Sequence, residues 1–147
     1  MTSEPSLREE SLRIQIALGW IAILVVLCWI FAIMICESAM ANTNFRDLLR
    51  DPGVEGLPSL VYIGAFYGLM PLFVYLVTGF RTRIFRWIAV AAAGLGLIFW
   101  ILHHLSHVYA MTRTTFTSNV LDVTLHALGL WVLVNSIKWA KIPAVRE

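Results

Sequence analysis

Charged side chains are scarce in this sequence. Only 14% of its 147 residues are charged and 59% are hydrophobic, whereas soluble domains carry about 25% charged residues. Eleven basic residues against nine acidic ones give a net charge of +2, which is too small and too scattered for binding to a phosphate backbone. The composition therefore excludes an ordinary soluble domain, a disordered tail and a nucleic-acid-binding module.

Cysteine is nearly absent, and familiar catalytic motifs are missing. Cys28 and Cys36 are the two cysteines, and on a helix they are separated by about 12 Å of rise, too far for a disulfide. The sequence contains no Gly-rich phosphate loop, no nucleophile elbow and no Ser-His-Asp order. It therefore leaves open whether the protein is an enzyme.

Four long apolar runs dominate what is present. Each has about the 20 residues needed to cross a bilayer, where only a helix satisfies its own backbone. Short connections make neighbouring spans antiparallel. We expect an all-α membrane protein with a single transmembrane domain over residues 1–147, folded as an up-down-up-down four-helix bundle. The predicted spans are about 14–37, 59–80, 87–109 and 119–137.

The first apolar run has an alternative interpretation as a signal peptide. Ala39-Met40-Ala41 fits the small-x-small pattern of a cleavage site. However, the run is longer than the roughly 7–15 apolar residues of a signal peptide. The segment before it also contains Glu4, Glu9 and Glu10, which are atypical of a signal peptide. We therefore predict an uncleaved membrane anchor.

Basic residues predict the orientation of the bundle, because cytoplasmic loops are enriched in Lys and Arg. If the N-terminus is cytoplasmic, eight basic residues lie inside and three outside, which favours both termini in the cytoplasm and a multi-pass protein of the cell inner membrane. The inner residues are Arg8, Arg13, Arg81, Arg83, Arg86, Lys138, Lys141 and Arg146; the outer ones are Arg46, Arg50 and Arg113.

The one long connection, residues 38–58, lies on the outer side in this orientation. Asn44 is placed to cap a short amphipathic helix in which Phe45, Leu48 and Leu49 share one face. The favoured interpretation is a helix lying on the membrane surface. The alternative is a lid over the outer ends of the spans.

Ionisable residues cluster in the third and fourth spans, where each is costly without a partner or a function. His103 and His107 are four residues apart, as are Asp122 and His126, so each pair shares a helix face. If the two helices form a straight hairpin, His107 is level with Asp122 and His103 is level with His126. The pattern predicts four ligand-type side chains on facing surfaces near the outer interface.

Three imidazoles and a carboxylate are a common ligand set for zinc, copper or non-haem iron. We therefore predict a metal site formed by His103, His107, Asp122 and His126, with Glu37 at the end of the first span as a possible additional ligand. His104 is rotated by about 100° from His103. It is expected to contact lipid headgroups or another subunit, and is also only a possible additional ligand.

These observations leave three functional hypotheses open. The favoured one is a redox or metal-dependent component of a membrane complex, which would contact lipid and other membrane subunits or further copies of itself. The second is a non-catalytic accessory subunit of a respiratory or photosynthetic complex, whose histidines contact a partner, a quinone or a pigment. The third is a haem b carrier, although neighbouring helices only about 8–10 Å apart leave little room for a porphyrin. The histidines and Asp122 could also form a purely structural polar network.

The predicted orientation can be tested with reporter fusions. Green fluorescent protein attached after Glu147 should fluoresce in cells, and alkaline phosphatase attached at the same point should be inactive, because both report a cytoplasmic C-terminus. The reverse pattern would place that terminus outside. A fusion truncated after Arg113, in the predicted outer loop, is the control and should give the opposite readout.

Overall fold

The apolar runs form helices. The computed structural model describes residues 4–40, 59–109 and 116–143. Within these residues the chain forms four helices and no strand, which confirms the all-α prediction. The helices are α1 (Glu4–Met40), α2 (Ser59–Gly79), α3 (Arg83–Tyr109) and α4 (Phe116–Ala140). The short helix expected around Asn44 lies outside the described residues.

Three of the helices contain segments long and apolar enough to cross a membrane. These segments are Leu7–Ile33 in α1, Arg83–Leu105 in α3 and Val120–Ala140 in α4. Helix α2 has 21 residues, and its segment Gly68–Gly79 is also apolar. Helices α1 and α3 begin before the predicted spans. Their first turns include charged residues, whereas the predicted spans contained only the apolar runs.

Many large hydrophobic side chains lie on the exterior of the helices. Large hydrophobic side chains such as Leu95 and Val123 are 68% and 64% exposed. A soluble protein rarely exposes extended apolar surface. An exterior of this kind is compatible with a lipid environment.

Aromatic side chains join three helices at the centre of the core. The Trp20 ring of α1 stacks on Phe73 of α2, with centroids 5.3 Å apart, and contacts Trp100 of α3 at 6.5 Å. Helix α4 packs mainly on α3 and α1, whereas α2 packs on α1 and has little contact with α3. The described core is therefore concentrated around α1 and α4.

A buried ion pair joins the start of α1, the start of α3 and the end of α4. Arg86 is only 4% exposed, and its guanidinium donates to Glu9 Oε1 at 2.9 Å and to the backbone oxygen of Ile142 at 2.9 Å. The Trp139 indole Nε1 donates to the same oxygen of Glu9 at 3.2 Å. Burial of the two charges is tolerable because each has several hydrogen-bonding partners.

A second arginine binds the end of α2. The buried Arg13 guanidinium of α1 donates to the backbone oxygens of Val77 and Thr78, which belong to the last turn of α2 and have no partner within that helix. Arg13 also pairs with Glu10 at 2.9 Å, and Glu10 contacts Arg81 at 3.3 Å. Together the two clusters bring one end of each of the four helices into contact.

Helices α1 and α4 approach closely at Gly19. A Cβ atom added at this position would overlap the Val132 side chain and would lie 3.0 Å from the Trp131 ring. Only the absence of a side chain allows this distance between the helices. Small residues have this role in membrane proteins because they let helix backbones approach.

Substitution of Gly19 tests this contact. Gly19→Ala should destabilise the protein by about 1–3 kcal/mol because the added methyl group overpacks the interface. Thermal unfolding in detergent would measure the change. Gly68→Ala is the matched control, because no described atom lies within 4 Å of the added methyl group. The double variant Gly19→Ala/Val132→Ala should recover stability, and a fully stable single variant would contradict the packing described.

Removal of the Arg86 guanidinium tests the buried ion pair. Arg86→Met should cost about 3–5 kcal/mol, because it leaves the Glu9 carboxylate buried without its cation. The exposed Arg83 provides the control, and Arg83→Met should change stability by about 0.5 kcal/mol or less. Urea unfolding in mixed micelles would separate the two. Equal effects of the two substitutions would argue against a structural role for the pair.

Candidate functional site

The polar side chains of α3 and α4 meet at His104. Asp122 and His126 lie one helical turn apart on α4, and His104 of α3 lies opposite both. The His104 Nδ1 atom is 3.1 Å from Asp122 Oδ2, and the two side chains are 26% and 20% exposed. The helix pair thus holds an imidazole and a carboxylate in hydrogen-bond contact.

The contact with Asp122 engages Nδ1 of His104 and leaves Nε2 as the ring nitrogen available to a ligand. When the carboxylate is ionised it can only accept, and Nδ1 then carries the hydrogen that it donates to Asp122. In the neutral ring, Nε2 is then an acceptor. The carboxylate also restrains the orientation of the ring, as it does for histidines that bind metals.

His126 completes the cluster. Its ring lies 5.4 Å from the His104 ring, centroid to centroid, with the planes at 83°. The Nε2 atom of His126 is buried and has no hydrogen-bonding partner among the described residues. A buried polar atom without a partner costs about 1–3 kcal/mol, so a further group that binds Nε2 would stabilise the site.

An open apolar groove of about 410 Å³ runs beside the two imidazoles. Four aliphatic side chains form most of its lining, and Ile101, Leu105 and Leu130 among them are exposed on the outside of the helices. An apolar molecule in the surrounding lipid could therefore reach the histidines laterally. The lining residues are Leu97, Ile101, His104, Leu105, His126 and Leu130.

Gly129 sets the distance between α3 and α4 beside the groove. A Cβ atom at this position would lie 3.2 Å from Leu97 Cδ1 and 3.2 Å from a ring carbon of Trp100. The glycine lies one turn beyond His126 on α4. Its small size lets the two helices pack closely enough for the imidazoles to meet.

His104, which was expected to contact lipid headgroups or another subunit, contacts α4 in the structure. The sequence predicted His107 level with Asp122 and His103 level with His126, and His104 contacts both of these α4 residues. The positions of His103 and His104 along the α3 axis differ by only about 1.5 Å. Residue spacing in a hairpin fixes this axial position but not the rotation of each helix about its axis.

The remaining predicted ligands have different outcomes. The His103 ring stacks on Phe99 of its own helix, with centroids 6.1 Å apart. The helical backbone places His107 on α3 and Glu37 on α1, but their side chains lie outside the described part of the chain. Among the side chains that are described, no group of three or more His, Cys, Asp or Glu could hold a metal ion. The four-ligand metal set therefore stays a prediction.

Comparisons of the chain with protein-family models, characterised proteins and solved structures find no match. The function is therefore argued from the geometry of the helices and of the His104–Asp122–His126 cluster.

Proposed function

We propose that the protein is an integral inner-membrane protein with both termini in the cytoplasm. In this proposal α2 crosses the membrane in addition to α1, α3 and α4, which gives four spans. Three apolar segments of sufficient length support membrane insertion. The contacts of Glu9 and Arg13 support an up-down-up-down arrangement, because they bring the starts of α1 and α3 to the ends of α2 and α4. This shared end contains most of the basic residues, which favours the cytoplasmic side for it.

Within this framework, we propose that the His104–Asp122–His126 cluster binds a lipid-soluble ligand of the quinone class. One observation carries the proposal: an imidazole held by a carboxylate lies at the edge of an apolar groove that is open to the exterior. A quinone has an apolar body and oxygen atoms that need hydrogen-bonding partners. Sites for such molecules are mostly apolar, with a few placed polar groups.

The cluster can hydrogen-bond both forms of such a ligand. With Nδ1 committed to Asp122, the neutral His104 ring accepts from a quinol hydroxyl through Nε2, and the protonated ring donates to a quinone carbonyl. The buried Nε2 of His126 offers a second contact. This role fits an accessory subunit of a membrane complex, in which a partner protein carries out electron transfer.

Ligand binding can be measured in purified protein in lipid nanodiscs. A short-tailed ubiquinone analogue should quench tryptophan fluorescence, because Trp100 lies next to Leu97 and Gly129 at the groove. His104→Leu and Asp122→Leu should each weaken binding about tenfold, the cost of a lost hydrogen bond of about 1.4 kcal/mol.

Thr124→Val is the matched control for the quinone experiment. Thr124 lies on α4 between Asp122 and His126, but its hydroxyl donates to the Val120 backbone oxygen, so its removal should leave quinone affinity unchanged. Equal quenching in all variants and in empty nanodiscs would mean that the analogue only partitions into lipid, and would contradict the proposal.

A metal or haem site is the second candidate function. The carboxylate–histidine contact supports it, because histidines that bind metals commonly donate their other N–H to a carboxylate. Such a centre would use His126 and His104, with His103, His107 or Glu37 as further ligands. It would serve redox chemistry or metal handling in a membrane complex.

Elemental analysis and an absorption spectrum distinguish this candidate from the first. A metal centre predicts stoichiometric copper, zinc or iron that is lost in His126→Ala, and haem b predicts a Soret band that is lost in the same variant. The quinone site predicts neither. A colourless, metal-free preparation that still binds the quinone analogue would reject the second candidate.

A further inference from the structure

A second cavity lies between α1 and α4, at the end of the bundle that contains Glu9 and Trp139. It has a volume of about 290 Å³, and five of its six lining residues have a polar or charged side chain. The cavity is separate from the histidine groove and shares no residue with it. Its lining residues are Arg8, Ser11, Leu12, Gln15, Asn135 and Lys138.

The cavity contains cations but no carboxylate among its lining residues. Arg8 of α1 and Lys138 of α4 both line it. The two nearest acidic residues of α1 are engaged elsewhere, since Glu9 binds Arg86 and Glu10 binds Arg13 and Arg81. Two positive charges therefore converge on a cavity in which no described group neutralises them.

A buried amide without a partner also lines the cavity. Asn135 is only 3% exposed, and its Nδ2 atom has no hydrogen-bonding partner within the described residues. On α1 the Gln15 amide donates to the Ser11 hydroxyl oxygen at 3.2 Å, which leaves the Ser11 hydrogen available for donation. The cavity thus offers two cations and two neutral donors, a set that matches the oxygen atoms of a phosphate group.

We propose that this cavity binds the phosphodiester headgroup of an anionic phospholipid such as phosphatidylglycerol. The proposal rests on the membrane placement proposed above, which locates the cavity at the cytoplasmic interface. Basic pockets between helices at that interface are suited to anionic headgroups. Exposed apolar residues of α1 near the cavity, such as Leu7 and Ile14, provide a surface for the acyl chains.

The full-length protein in detergent micelles allows a direct test. Native mass spectrometry during titration with phosphatidylglycerol should show one preferred bound lipid, and phosphatidylcholine should bind at least about tenfold more weakly, given that each basic residue near the surface contributes about 1 kcal/mol. Arg8→Gln/Lys138→Gln should abolish that preference. Equal binding of the two lipids to the unmodified protein would overturn the proposal.

A charge-matched control distinguishes a specific lipid site from general electrostatic attraction of the anionic lipid. Arg83 and Lys141 are exposed near the same end of the helices and do not line the cavity. Arg83→Gln/Lys141→Gln removes the same two charges and should retain the preference for phosphatidylglycerol. An equal loss in both double variants would show that only the overall charge of this end attracts the lipid, and would overturn the proposal.

Asn135→Leu tests the buried amide without changing charge. It should unfold at the same or a higher temperature than the unmodified protein in phosphatidylcholine, because it removes an unpartnered buried group. The increase in unfolding temperature caused by phosphatidylglycerol should become smaller. An unchanged increase would exclude the amide from the site and contradict this part of the proposal.

Two further outcomes identify the source of the anion and test the membrane placement. Inorganic phosphate or glycerol phosphate should not reproduce the stabilisation by phosphatidylglycerol, and if either does so at equal concentration the site is one for a soluble anion. If the protein is recovered without lipid or detergent, the membrane placement itself fails. Failure of the placement is thereby distinguished from failure of the lipid site.

Discussion

Because the exterior of the helices is apolar, hydrophobicity does not distinguish the helix faces that pack together from those that face outward. Side chains such as Leu95 point outward while others of the same type form the core, and lipid does not distinguish between the two. Close packing and polar contacts must then select the arrangement. The buried pair of Glu9 and Arg86 does so at one end, since breaking it would leave a buried charge without its partner.

The same constraint explains why the polar residues lie between helices. Arg13 binds the last carbonyl groups of α2, and Asp122 binds His104 across the α3–α4 contact. Each contact fixes a helix in register and in rotation at once. Two buried polar atoms without a described partner, in His126 and Asn135, belong to residues that line the apolar groove and the basic cavity for which ligands are proposed.

Helix positions were predictable, because a run of about 20 apolar residues has few alternatives in lipid. The predicted limits failed mainly at charged helix starts, where α1 begins at Glu4 and α3 at Arg83. The role of His104 was missed, although a signal existed: Leu97, Ile101 and His104 recur at helical spacing. Grouping them would have placed His104 on an apolar stripe of α3, but not opposite Asp122.

By itself, the sequence determined the apolar composition, the helical class and the two helices that contain the imidazoles, because these follow from local composition and from the preference of long apolar runs for helices. Only the tertiary structure decided which imidazole meets Asp122. That choice depends on the rotation of α3 and α4 about their axes, which is set by packing between the two helices such as that of Trp100 against Gly129. A rotation of about 100° exchanges His103 for His104 with almost no change in height.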